Sequence, residues 1–212
     1  MTPDPIKMRK KRDTHLKRQA ILTGAVNVFI ESGYELASMD RIAEVAGVSK
    51  RTVYNHFQSK ESLFEAVVED FLRQRDEQKP IEYSKLLTLE AQLKQFAEAE
   101  LFLINDPIRR GLSKFLTSIF LMDIEYGKKV RAQSKPPHAG FVRWLDAAKT
   151  DGKLDFESPQ MAARIFYGLV EGCLTYGALF TDGESLKQKD VLLDEIVTTF
   201  LCRYRTEKVP ED

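Results

Sequence analysis

Cysteine is scarce. Of 212 residues only Cys173 and Cys202 carry a thiol, which leaves no metal-cluster spacing and no disulfide framework. Long hydrophobic runs are missing too. Stretches such as Ile165 to Leu169 fall far short of the ~20 apolar residues a membrane span needs. The N-terminus reads Met-Thr-Pro-Asp-Pro and then turns basic with no apolar stretch behind it, which argues against a signal peptide. There is no Gly-rich phosphate loop, no His-Glu-x-x-His and no nucleophile elbow. The three histidines, His15, His56 and His138, stand far apart. No run of alternating β-branched residues is bounded by turns, so no sheet is expected, and no repeat of 20–50 residues is evident. These absences leave a reduced, cytoplasmic, all-α protein without cofactor, metal or membrane partner, its cysteines acting as small buried hydrophobes.

What is present is an uneven charge. Lysine plus arginine balance aspartate plus glutamate at 32 each, yet residues 1–60 hold eleven basic against six acidic side chains. A +5 head on a −5 remainder suits a polyanion bound by the head alone.

Helical periodicity runs through the chain. Ile21, Ala25 and Phe29 recur every four residues and predict a helix from about His15 to Ser32, stopped by Gly33. Ser38 can cap a short helix, Met39 to Ala46, with Ile42, Val45 and Ala46 inward. Gly47 turns the chain, Ser49 caps a third helix to about Phe57, and Ser59 a fourth. Later helices are expected over about 89–105, 107–122, 124–132 and 139–150. A long one follows from Pro159 to Thr181, and a last one from 184 or 185 to about Arg205, with a firm break at Pro136-Pro137. The expected division is a basic disordered arm (1–14), a DNA-binding domain (15–60), a helical body (61–206) and a tail (207–212).

Residues 38–60 carry the chemistry. Two short capped helices joined by a Gly-containing turn form a helix-turn-helix layout, with Ala43 small where the helices approach and Val48 and Val53 packing back. The outward positions are then Lys50, Arg51, Thr52, Tyr54, Asn55 and His56. These types suit a duplex: cations and hydroxyls for phosphates, and Lys, Arg or Asn for base edges. A two-turn helix fits the major groove.

The stretch from Ala20 to Phe64 resembles the N-terminal domain of the tetracycline-repressor (TetR/AcrR) family. The matching pieces are Phe29-Ile30-Glu31-Ser32-Gly33-Tyr34, Ser38-Met39-Asp40-Arg41-Ile42-Ala43, Ala46-Gly47-Val48-Ser49, Thr52-Val53-Tyr54-Asn55-His56-Phe57 and Ser59-Lys60-Glu61-Ser62-Leu63-Phe64. The resemblance implies an all-α homodimeric regulator with an N-terminal three-helix DNA-binding domain. Its C-terminal helical domain would bind a small molecule and dimerise through its last two long helices. Carried over, Lys50, Arg51 and Thr52 lie in the major groove, Tyr54 and His56 meet phosphates, and Lys60 places its cation on a phosphate. Arg41 reaches a base or phosphate, and Ser38, Ser49 and Asn55 complete the double-stranded-DNA-facing set. Asp40 departs from a basic or neutral groove-facing type; it serves the helix dipole or accepts from a cytosine amino group. The arm Lys7–Arg12 adds attraction, follows the minor groove, or is a plain basic tail.

In the body, Gly168 and Gly172 stand four apart beside Leu169. A helical glycine costs roughly 1 kcal/mol relative to alanine, which suggests close approach of another helix. With Leu192, Ile196 and Phe200 this points to a homodimer interface, against packing within one subunit. A pocket for a largely apolar small-molecule effector is expected among Phe102, Phe115, Phe120, Tyr126, Phe141, Trp144, Tyr167 and Glu171. Trp144 leads because its large surface is rarely wholly buried. The function implied is a ligand-responsive regulator, a repressor at a pseudo-palindromic operator. The rivals are an architectural DNA-binding protein and, more distantly, a helical small-molecule-binding protein or enzyme.

Overall fold

The computed structural model describes residues 5–76, 79–133 and 138–206, with the side chains of 5–12, Arg75, Asp76, Leu103, Arg131 and Gln133 left out. Eleven α-helices are present among the described residues: α1 (Pro5–Leu36), α2 (Met39–Val45), α3 (Lys50–His56), α4 (Lys60–Asp76), α5 (Leu89–Asn105), α6 (Pro107–Met122), α7 (Ile124–Gln133), α8 (Ala139–Thr150), α9 (Pro159–Val170), α10 (Tyr176–Phe180) and α11 (Lys189–Tyr204). Extended pairing is confined, among those residues, to one isolated bridge between Leu154 and Arg205. The caps explain most boundaries. The hydroxyls of Ser38, Ser49, Thr88 and Ser158 accept the third helical N–H of α2, α3, α5 and α9. Ser59 and Ser62 cap each other reciprocally at α4, N to Oγ at 3.2 and 3.1 Å.

Three local differences from the sequence pattern have physical causes. First, α1 starts at Pro5, so the arm expected to be disordered is helical from that residue, and the chain breaks at Gly33, whose φ of 76° is left-handed. Residues 1–4, the side chains Lys7–Arg12, Pro136-Pro137 and the tail 207–212 lie outside what is described. Second, the expected helix 159–181 is interrupted. Glu171–Thr175 forms a π-helical turn between α9 and α10, an insertion that shifts the register of everything after it. Third, a 3₁₀ turn, Glu184–Gln188, precedes α11.

The chain divides into two compact units. The first comprises the chain to Gln74 plus Lys114–Met122, so it is larger than the expected 15–60; the second is Arg75–Ser113 with Asp123 onward. The unit boundary falls within α4 and within α6. In the first unit, α1 buries Ile21, Leu22, Ala25, Val28 and Phe29, α2 buries Met39, Ile42 and Ala43, α3 buries Val53, and α4 buries Leu63, Phe64, Val67 and Val68. Val45, expected inward, is exposed because α2 turns Met39, Ile42 and Ala43 inward, and helical spacing carries Val45 off that side. Gly24 has a reason the sequence did not reveal: a Cβ there would stand 3.0 Å from the Ala46 Cβ, so α1 and the end of α2 touch through their smallest residues.

The second unit buries α5, α8, α9 and α11 around an aromatic centre of Phe96, Phe141, Trp144, Phe166 and Phe200. Gln92 is fully enclosed and fully used. Its Oε1 accepts from Trp144 Nε1 (3.0 Å) and Ser84 N (2.8 Å), and its Nε2 donates to the carbonyls of Ser84 (2.8 Å) and Leu87 (3.0 Å).

Candidate nucleic-acid interface

The geometry of α2 and α3 follows from their anchors. Val53 is wholly buried, which fixes the inner side of α3, and Ile42 and Ala43 do the same for α2. Two backbone bonds, Gly47 N to Glu44 O (3.1 Å) and Val48 N to Ala43 O (3.0 Å), close the turn around Gly47, whose φ of 65° suits glycine. The rest of α3 is then forced outward. Lys50, Arg51, Tyr54 and Asn55 are exposed, and Thr52 and His56 are half-buried. Thr52 shares a 2.8 Å hydrogen bond between hydroxyls with Ser49, so the side chains of both serve the cap.

The cations of this unit are not equivalent. Lys50 Nζ lies 2.5 Å from Asp40 Oδ2, across the turn from one helix start to the other. Arg41 is held by Glu44 at 2.9 Å, with Glu31 at 4.0 Å, and its guanidinium is pushed further above its ordinary range by the hydrogen bond and charge of Glu44. Arg18 lies over the Phe57 ring, 5.0 Å from its centre. Arg51 has no ion pair among the described residues.

Lys60, expected on a phosphate, has contacts inside the unit that the sequence did not reveal. Its Nζ donates to the carbonyls of Tyr34 (2.8 Å) and Glu35 (3.1 Å) and sits 4.5 Å from the centre of the Tyr34 ring. It ties off the open end of α1 beyond the Gly33 break by these two bonds. Asp40 likewise does more than serve a dipole, since Lys50 occupies its carboxylate.

The expected pocket residues scatter. Phe115 stacks on Phe29 at 5.8 Å and meets Phe64 edge-on at 6.1 Å, so it belongs to the core of the first unit, and Phe120 follows on the same stretch of α6. Phe141 and Trp144 are only 1% and 2% exposed, so the tryptophan, expected to be incompletely buried, is enclosed. A large ring closes completely here because Gln92 answers its one polar atom. Tyr167 is buried beside His138, rings stacked at 3.4 Å, and burial, with Glu100 nearby, raises its phenol far above the ordinary range. Phe102 lies under the Arg109 guanidinium at 4.0 Å, while Tyr126 and Glu171 are half-buried. An open groove of about 730 Å³ lies elsewhere in the second unit, lined by Tyr83, Lys85, Leu89, Lys153, Leu201 and Arg205 among others; none of the eight expected residues lines it.

The expected interface residues divide in two. Ile196 and Phe200 are 3% and 1% exposed and complete the subunit's own core, so they are not free to meet a partner. Gly168 and Gly172 are exposed, and a Cβ on either would meet nothing within 4 Å. Leu169 and Leu192 are half-buried against the core. Also exposed are the apolar Met161 and Ile165 on α9, Tyr176 and Phe180 on α10, and Val191 on α11. Cys173 and Cys202 are also exposed, contrary to their expected burial.

Comparison with known proteins follows this division. Residues 21–67 match the family model described as "Bacterial regulatory proteins, tetR family", and residues 91–206 match "AefR-like transcriptional repressor, C-terminal domain". The chain is 26% identical over 175 residues to the regulator SrpR of Pseudomonas putida, covering 79% of this chain and 78% of that one. It is 38% identical over 74 residues to the regulator RutR of Escherichia coli, covering 34% of this chain and 35% of RutR. It is 47% identical over 53 residues to the activator FasR of Mycolicibacterium smegmatis, covering 25% and 24%. The match thus spans only a quarter to a third of the length of FasR and RutR. Among solved structures, a TetR family regulator from Pseudomonas syringae pv. tomato is 28% identical with a TM-score of 0.71, covering 89% of this chain and 96% of that one.

Proposed function

The chain belongs to the TetR family of bacterial transcriptional regulators, with an AefR-like C-terminal half, and from that premise we propose that it is a homodimeric repressor released by a small molecule. The observation that carries the DNA-facing half is α3 itself. Its inner side is pinned by Val53 while Arg51, Tyr54 and Asn55 stand exposed around a Ser49-capped start. Two such helices, one per subunit, would enter successive major grooves about 34–36 Å apart at a pseudo-palindromic operator. Repression is supported by the likeness of residues 91–206 to the C-terminal domain of AefR-like transcriptional repressors, although one relative, FasR, is an activator.

Dimerisation is supported by the open Gly168–Gly172 face and the exposed apolar side chains of α9, α10 and α11. Gly172→Leu adds no clash within the subunit, so the fold should persist while a partner helix is held off. The expected outcome is a monomer in sedimentation with an unaltered circular-dichroism spectrum. An unchanged dimer overturns the interface.

The effector is a largely apolar small molecule held in the second unit, where Phe102, Tyr126 and Glu171 are the half-buried members of the expected set. It would act by population shift, lowering DNA affinity by its own preference for the form with the wrong head spacing. The fourth helix, α4, in which the chain passes from the first unit to the second, is the natural lever. The test of the function is salt-titrated binding to a duplex enriched from a random pool and to its scrambled version. A repressor prefers its site by roughly 10³ or more, whereas nearly equal affinities identify an architectural protein.

A further inference from the structure

The Asp40–Lys50 pair is unexplained by stability. Its side chains are 56% and 66% exposed, a setting in which an ion pair contributes little to folding. It does cancel a cation on the helix that should be most positive. Arg41 is neutralised in the same way by Glu44, which leaves Arg51 as the cation of α2 and α3 with no ion pair among the described residues. A protein held to DNA by general attraction alone would gain from three free cations there. This chain has arranged two of them against carboxylates.

We propose that Asp40 is a specificity-determining residue, acting with Lys50 as one joined donor–acceptor unit that reads a G·C pair in each half-site. The inference rests on the DNA-binding reading above. The two groups come from the starts of two helices, Asp40 in the first turn of α2 and Lys50 at the head of α3, and their charged atoms are 2.5 Å apart. In the major groove, guanine offers two adjacent acceptors, N7 and O6, and the paired cytosine offers the N4 amino donor beside them. An ammonium next to a carboxylate is the complement of that edge: Lys50 donates to guanine and Asp40 accepts from cytosine. An A·T pair gives the ammonium no two adjacent acceptors, and the thymine methyl crowds the carboxylate. At the wrong register Asp40 faces phosphate and repels it. The pair therefore weakens non-cognate binding and keeps Lys50 from turning to phosphate at the wrong sequence.

The test is selection from a randomised duplex pool by the full-length protein and by its Asp40→Ala, Asp40→Asn and Lys50→Ala variants, followed by salt titration on the enriched and scrambled duplexes. The wild type enriches sites with a fixed G·C pair in each half. Asp40→Ala and Asp40→Asn lose the roughly tenfold or greater preference for that pair. Asp40→Ala also binds scrambled DNA more tightly, with a salt slope steeper by about one per subunit as the freed Lys50 turns to phosphate. Lys50→Ala loses the same base preference without that gain. If the Asp40 variants enrich the wild-type site with unchanged preference and slope, Asp40 has no part in recognition and the proposal fails alone. If the wild type enriches no sequence, the operator reading fails and takes this inference with it.

Discussion

Arg51→Ala should weaken binding to the enriched duplex by roughly 30-fold to 10⁴-fold. That is the effect of about 1–3 kcal/mol for a forked base contact, made twice in a dimer. The reason for choosing Arg51 is its freedom. Lys50 and Arg41 each share their charge with an internal carboxylate, whereas Arg51 has no ion pair among the described residues and stands exposed one residue into α3. Its guanidinium presents a rigid fork that lysine cannot copy. Arg51→Lys should therefore leave scrambled DNA nearly unaffected while the enriched site weakens about tenfold. Equal losses on both duplexes for Arg51→Lys would reassign the residue to phosphate.

The second large effect belongs to the other unit. Trp144→Ala should cost about 3–5 kcal/mol for the cavity alone. Trp144 is enclosed by Phe96 at 5.6 Å, Phe141 at 5.6 Å and Tyr83 at 5.8 Å between ring centres. The change also strips Gln92 of one of its donors. For a chain of this size each kcal/mol moves the midpoint by about 2–4 °C, so thermal melting should fall by roughly 6–20 °C. Circular dichroism is the measurement, since the protein's sole tryptophan is the residue removed. Trp144→Phe should lose much less. A midpoint within a degree or two for the alanine variant would mean that the side chain borders an opening after all.

The helices were largely legible because their boundaries are local chemistry. Ser38, Ser49 and Ser158 cap where a cap was read, Pro107 and Pro159 begin helices, and the span Ala139–Thr150 is as expected. The recognition segment was legible for the same reason, since Gly47, Val48 and Val53 lie within a few residues of what they touch. Long-range pairings were not. Nothing beside Lys60 announces that its ammonium turns back onto Tyr34 and Glu35, some 25 residues upstream. Gln92 looks like a surface residue until Trp144 and Ser84 arrive from distant sequence. Periodicity gave Phe115, Ile196 and Phe200 an inward side without saying which core would receive them. The π-helical turn at Glu171–Thr175 keeps helical residue types on both flanks, so one continuous helix was read; its only trace is the step from Gly172 to Gly177, one residue longer than the step from Gly168 to Gly172. Within α2 and α3, the sequence pattern foretold which side chains stand outward, but the Asp40–Lys50 pairing needed the angle between the two helices.

The central claim is that two copies of α3 occupy successive turns of one duplex. Hydroxyl-radical footprinting of the full-length protein on the enriched duplex tests it directly. The account predicts two protected patches on one face, their centres about 10–10.5 base pairs apart. A single patch, or protection spread evenly along the fragment, would contradict it.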